Sequence, residues 1–129
     1  MRRAGILHAG LAREVARLGH THHVVVADCG LPLPRGGDVA VVDLALTRGV
    51  PTFAQVLDAL LDEIVVEQAT IADEARGGQV EQWVARRGLA PSAVPHERLK
   101  ELAAGAALVV RTGEATPFAN VVLRCGVPF

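Results

Sequence analysis

The chain has 129 residues, half of them hydrophobic, which suffices for one domain with its own core and excludes a disordered tail. Thirteen Lys and Arg stand against fourteen Asp and Glu, and aromatic residues make up only 3%. Such a chain has neither the basic stripe nor the stacking platform of a nucleic-acid-binding protein, and Ala, Val and Leu must fill its core.

Leu11, Val15 and Leu18 recur at helical spacing, which predicts a short amphipathic helix ended by Gly19. The apolar, β-branched run at 24–28 predicts a buried strand, broken by Gly30, Pro32 and Pro34. A loop rich in Gly and Pro reaches Gly37, and 39–44 predicts a second strand that leaves through Gly49-Val50-Pro51. Phe53, Val56, Leu57, Leu60, Leu61 and Ile64 form the clearest helical stripe, with Thr52 as its cap. Another strand lies within 64–71. Gly77-Gly78 breaks the chain, and Val80, Trp83 and Val84 predict a short helix closed by Gly88. Ala93-Val94 reads as an edge strand, 95–102 as a helix, and 107–111 and 120–124 as two further strands. Strands alternate with helices, so the expected class is α/β: a single domain over 1–129, with a largely parallel central sheet flanked by helices.

Cys29 and Cys125 form no CxxC or zinc pattern and read as free thiols of a cytoplasmic protein. No apolar stretch is long enough to span a bilayer. Residues 1–8 lack the apolar run of a signal peptide. No GxGxxG, Walker loop or GxSxG elbow is present, so neither a nucleotide cofactor nor a serine nucleophile is indicated.

The polar residues at predicted element ends are His20, Asp28, His96 and Asn120. Together they offer a titratable acid or base, an acceptor, a second imidazole and an amide, a set suited to proton transfer and hydroxyl recognition. Each also has a plainer reading. His20 after Gly19 fits a helix C-cap, Asp28 before Gly30 an Asx turn, His96 a first-turn helix residue, and Asn120 a cap or turn. Glu114 after Gly113 reads as an exposed charge. His20 and His22 would share a face of an extended segment, but no third ligand stands at metal-site spacing, and no metal is assigned.

Several ordered motifs carry more than any one residue. They are Arg17-Leu18-Gly19-His20-Thr21, Ala27-Asp28-Cys29-Gly30-Leu31-Pro32-Leu33-Pro34, and Val42-Asp43-Leu44-Ala45-Leu46-Thr47-Arg48-Gly49-Val50-Pro51. Val66-Glu67, His96-Glu97, the run from Arg111 to Asn120, and Cys125-Gly126-Val127-Pro128-Phe129 complete the set. Over nearly its whole length the chain resembles the D-ribose pyranase and L-fucose mutarotase family, and is most similar to the ribose pyranase branch. The resemblance implies an isomerase without a cofactor that interconverts the pyranose and furanose rings of ribose, its partner being a monosaccharide. His20 matches the proton donor of that family. Asp28, His96 and the segment Phe118, Ala119, Asn120 match its sugar contacts. It also implies a homo-oligomeric ring, commonly a decamer, with the site near a subunit boundary. Turnover of another sugar such as L-fucose, or sugar binding with reduced turnover, are the alternatives.

Two positions depart from the family pattern. His22 stands where an Asp is usual, two positions after His20, and cannot hold a protonated His20 as an anion. Phe118 stands where a Tyr is usual, which removes a hydroxyl and one hydrogen bond of about 0.5–1.5 kcal/mol.

Overall fold

The computed structural model describes residues 1–129. Val24, Val25 and Val26 are all fully buried, as an apolar strand run with no polar alternation requires, because both of its faces are covered. These residues form β1 (His23–Ala27). The other strands are β2 (Ala40–Asp43), β3 (Val66–Ala72), β4 (Ser92–Val94), β5 (Leu108–Arg111) and β6 (Val121–Cys125). They make one sheet in the order β2-β5-β1-β6-β3-β4. β1, β2 and β5 are mutually parallel, as are β3 and β4, while β6 runs antiparallel to both its neighbours, β1 and β3. The sheet is therefore largely parallel with one reversed strand inside it. That reversal brings the start of β6 to the edge where the other strands end.

The helices are α1 (Ala9–Ala16), α2 (Phe53–Leu61), α3 (Gln79–Ala85) and α4 (His96–Ala104). The two faces of each strand separate the core into two parts. Val24 and Val26 join α1, α2 and α3 in the larger cluster. Val25, Ala27, Val109 and Val122 join Leu99 and Ala103 of α4 on the other face. α2 anchors the larger cluster: Phe53, Val56, Leu57 and Leu60 are buried, each worth about 1.5–3 kcal/mol of transfer free energy. Phe53 also meets Trp83 of α3 with ring centroids 5.8 Å apart. Thr52 caps α2 through a capping box with Gln55.

The helix boundaries shift from the periodic reading, most clearly in α1 and α2. α1 ends at Ala16 with Arg17 as its C-cap, short of Gly19. Gly19 instead enters a separate turn in which His22 N–H donates to the Gly19 carbonyl. His20 is thus not the helix cap that its position after Gly19 suggested. α2 ends at Leu61, and Ile64 packs against the core from the segment beyond it. The N-cap of α1 is a histidine, His8, whose Nδ1 accepts the Leu11 N–H at 3.1 Å. A single 3₁₀ turn at Asp73–Ala75 follows β3.

Candidate active site

Asp28 follows the last residue of β1, and Asn120 immediately precedes β6. His96 follows β4 by two residues as the first residue of α4, and Glu114 lies just past β5. All four stand at one edge of the sheet, where parallel strands end and open α/β folds bind ligands. A cavity of about 400 Å³ opens there, lined among others by Asp28, Arg48, His96, Glu114 and Phe118.

Asp28 is held from three directions. Its Oδ1 accepts the Gly30 N–H at 2.9 Å, an Asx turn. Its Oδ2 accepts from Asn120 Nδ2 at 2.8 Å, and its own N–H donates to Asn120 Oδ1 at 2.9 Å. The Asx-turn reading is realised, and the same carboxylate still faces the cavity. Asn120 is fully buried, with both ends of its amide engaged by Asp28. Ala119 is also fully buried.

His96 and Phe118 form the opposite wall. Their rings meet edge to face, 5.1 Å apart at 79°. The His96 N–H donates to Glu74 Oε2 at 3.1 Å, while its ring Nδ1 is buried without a protein partner. Phe118 holds φ at 62°, in the left-handed region that non-glycine residues rarely occupy. Such a conformation costs on the order of 1–3 kcal/mol and persists only where surrounding contacts impose it.

The rest of the rim is fixed by backbone-directed polar contacts. Arg111 donates to the Cys29 carbonyl through Nε and Nη2, at 3.2 and 3.0 Å, and to Asp43 Oδ2 at 2.9 Å. It thereby joins the ends of β1, β2 and β5. The Gly113 N–H donates to the Pro51 carbonyl at 2.8 Å, and a Cβ at Gly113 would overlap the backbone of Thr47 and Val50. Glycine is needed there for close approach, and that approach seats the loop carrying Arg48.

Glu114 is no bland surface charge. Its Oε2 accepts the N–H of Phe53, the first residue of α2, at 3.2 Å. Its Oε1 accepts from the Thr116 hydroxyl at 2.9 Å and from the N–H groups of Ala115 and Thr116. Burial opposes its charge, but these donors outweigh burial and hold the carboxyl below its usual range. A value lower in the folded than in the unfolded state contributes stability above the ordinary carboxylate value of about 4.3. That stability is lost as the pH falls through the folded value. Glu114→Gln is therefore expected to flatten the dependence of Tm on pH between about pH 5 and 3. Thermal melts across that window check it, and parallel curves for the two proteins would remove this role.

His20 lies elsewhere. It sits on the turn before β1, half exposed, at the edge where the parallel strands begin. The turn is pinned by the Thr21 N–H to the Cys125 carbonyl at 2.9 Å, with Thr21 at φ 68°. His22 Nδ1 accepts the Gly19 N–H at 3.0 Å, so it closes the turn and leaves His20 alone. His20 Nε2 is 3.3 Å from Glu67 Oε2. With β1 rising about 3.3 Å per residue, roughly 17 Å of strand separates the two edges. One chain thus brings together Asp28, His96, Phe118 and Asn120, with Ala119 behind them, and does not bring His20 to them. No group of three His, Cys, Asp or Glu is placed to hold a metal ion. A larger groove of about 810 Å³, lined by Arg17, His22, His23 and Asp38, contains none of the candidate residues.

Residues 1–128 match the RbsD / FucU transport protein family. The chain is 52% identical over 129 residues to the D-ribose pyranase of Cutibacterium acnes, and 56% identical over 131 residues to that of Streptomyces coelicolor, with both chains covered in full in each case. The chain belongs to the RbsD / FucU family. Among solved structures, Bacillus subtilis RbsD complexed with D-ribose superposes with a TM-score of 0.91 at 38% identity, covering all of both chains. The Streptococcus pneumoniae fucose mutarotase shares the fold, with a TM-score of 0.74 at 19% identity over 94% of each chain.

Sequence reasoning gave no site role to three residues at the two edges of this family member. Arg48 and Glu114 shape the first cavity, and Glu67 meets His20. Arg48 and Glu67 stood within quoted motifs, but nothing in spacing tied either to a site, because their partners are distant in the chain.

Proposed function

We propose that the protein is a D-ribose pyranase, and that its active site is composite, assembled from the Asp28 cavity of one subunit and His20 of the next. The observation that carries this reading is the division of the candidate residues between two opposite edges of the sheet. Full-length identity above 50% to D-ribose pyranases supports the reaction and the substrate.

The chemistry needs only proton transfer. In β-D-ribopyranose the C1–O5 bond breaks as O5 gains a proton and the C1 hydroxyl loses one, giving the open aldehyde. The C4 hydroxyl then attacks C1, loses its proton, and the carbonyl oxygen takes one up. Atoms and charge balance without an oxidant or a cofactor. An imidazole gives and takes protons near neutral pH, so His20 serves as general acid and base. The Asp28 carboxylate accepts hydroxyl protons, and its two fixed hydrogen bonds orient it before the sugar arrives. His96 lines the cavity as a polar ring for a hydroxyl, and Phe118 supplies an apolar wall for a sugar face. Ala119 contributes backbone only, and Asn120 acts through Asp28.

Exposed apolar side chains support head-to-tail assembly. Leu46, 82% exposed, and Val50 stand two residues either side of Arg48, which lines the Asp28 cavity. Val127 and Phe129, which is 98% exposed, line a second cavity of about 540 Å³ that contains His20. A contact between two different patches generates a ring when its rotation closes. The ring, of up to ten subunits, works in the cytoplasm, where the separated thiols of Cys29 and Cys125 remain reduced.

Saturation-transfer NMR on D-ribose tests the reaction directly. The expected result is faster pyranose–furanose exchange with protein than without it. Unchanged exchange for ribose, with acceleration for L-fucose, would replace this substrate by another. Asn120→Ala is expected to raise the KM for ribose. It should also lower stability by about 1 kcal/mol or more, because the part-buried Asp28 N–H loses its acceptor. A thermal melt and a ribose titration measure both effects.

A further inference from the structure

We infer that Glu67 is the positioning carboxylate of His20, a role that the residue two positions after the histidine does not fill in this chain. The inference rests on the reading of His20 as the proton-transfer group.

Three observations converge on Glu67. Its Oε2 stands 3.3 Å from His20 Nε2. Its Oε1 is fixed by Arg124 Nε at 3.1 Å, so the carboxylate is braced from the far side. The pairing of β3 with β6 slips at this residue: Val66 faces Cys125 and Gln68 faces Arg124, leaving Glu67 as the extra residue of a β-bulge. Bulges re-aim a side chain at the end of a ladder, and this one lies at the strand end beside His20.

A surface pair of this exposure is worth about 0–1 kcal/mol to stability, so the bulge and the brace are not explained by stability. They are explained by control of the imidazole. A carboxylate on Nε2 fixes the ring orientation, leaves Nδ1 for the sugar, and favours the imidazolium after a proton has been taken up. The other ionisable groups around His20 are Glu63 from beyond α2, and Arg124 and the Cys125 thiol from β6. Burial, and then the charge of Glu67, push the Cys125 thiol up, so it stays neutral and does not compete.

The relation between positions 20 and 22 changes accordingly. His22 is held by the Gly19 N–H and forms part of the turn, so the carboxylate that meets His20 comes from a different strand.

The test compares Glu67→Gln and Glu67→Asp with the unmodified protein in ribose exchange, alongside His20→Ala. For Glu67→Gln the expected result is a kcat reduced by about tenfold or more, with KM and Tm little changed. Glu67→Asp, which keeps the carboxylate, restores the rate in part. An unmodified rate for Glu67→Gln, with His20→Ala inactive, would overturn this role alone. Full activity of His20→Ala would overturn the reading beneath it. A fall in Tm that accounts for the lost rate would assign Glu67 to structure instead.

Discussion

Replacing His20 with alanine is expected to reduce pyranose–furanose exchange by about 10²–10⁴-fold, the range for a positioned general acid or base. Stability should stay within about 0.5 kcal/mol, because the side chain is half exposed and its one side-chain contact is a surface pair. Ribose binding should persist, since Asp28 and His96 stand at the other edge of the same chain. The combination matters more than the rate alone: a dead enzyme with normal Tm and normal ribose affinity separates the proton-transfer group from the binding groups. Exchange NMR, a thermal melt and calorimetry on one preparation measure all three. Full activity would remove His20 from the mechanism.

The second large effect is gained rather than lost. His20→Ala and Asp28→Asn are each expected to be inactive alone. If the site is composite, a mixed assembly regains working sites wherever a subunit with intact His20 meets a neighbour with intact Asp28. Random mixing in equal amounts places such a pair at roughly a quarter of the boundaries of a head-to-tail ring. Co-refolded or co-expressed mixtures should therefore recover roughly a quarter of the unmodified activity. A site contained within one chain predicts none, because each chain then carries one lesion. The distinction follows from the roughly 17 Å of β1 between the two edges, a gap that side-chain motion does not close.

Much of the local structure was legible. The valines of β1 could only be buried on both faces, and the alternation of strands and helices pointed to a largely parallel sheet. Thr52 and the stripe from Phe53 to Leu60 placed α2. The reversed direction of β6 was not legible, because strand direction is set by which partners are available and not by side-chain pattern. The end of α1 was misplaced because Gly19 serves a turn whose closing acceptor, His22, lies outside any helical period. Glu114 reads as a surface charge in sequence, since its donors come from α2, sixty-one residues earlier in the chain, as well as from its own loop.

Phe118 and Thr21 give the sharper lesson. Both hold positive φ, and neither is glycine, so no residue type announces the conformation. Each is imposed by contacts made across the fold, and each sits beside a candidate site residue.

By itself, the sequence determined the fold class, the family and the residue types available for proton chemistry, because these depend on local propensity and on motif order. It also placed His20 and Asp28 at opposite ends of one strand. Only the tertiary structure decided what that separation means. Packing brought His96, Phe118 and Asn120 around Asp28, and a bulge in β3 brought Glu67 to His20. Such placements arise from contacts between residues far apart in the chain, which no local pattern records.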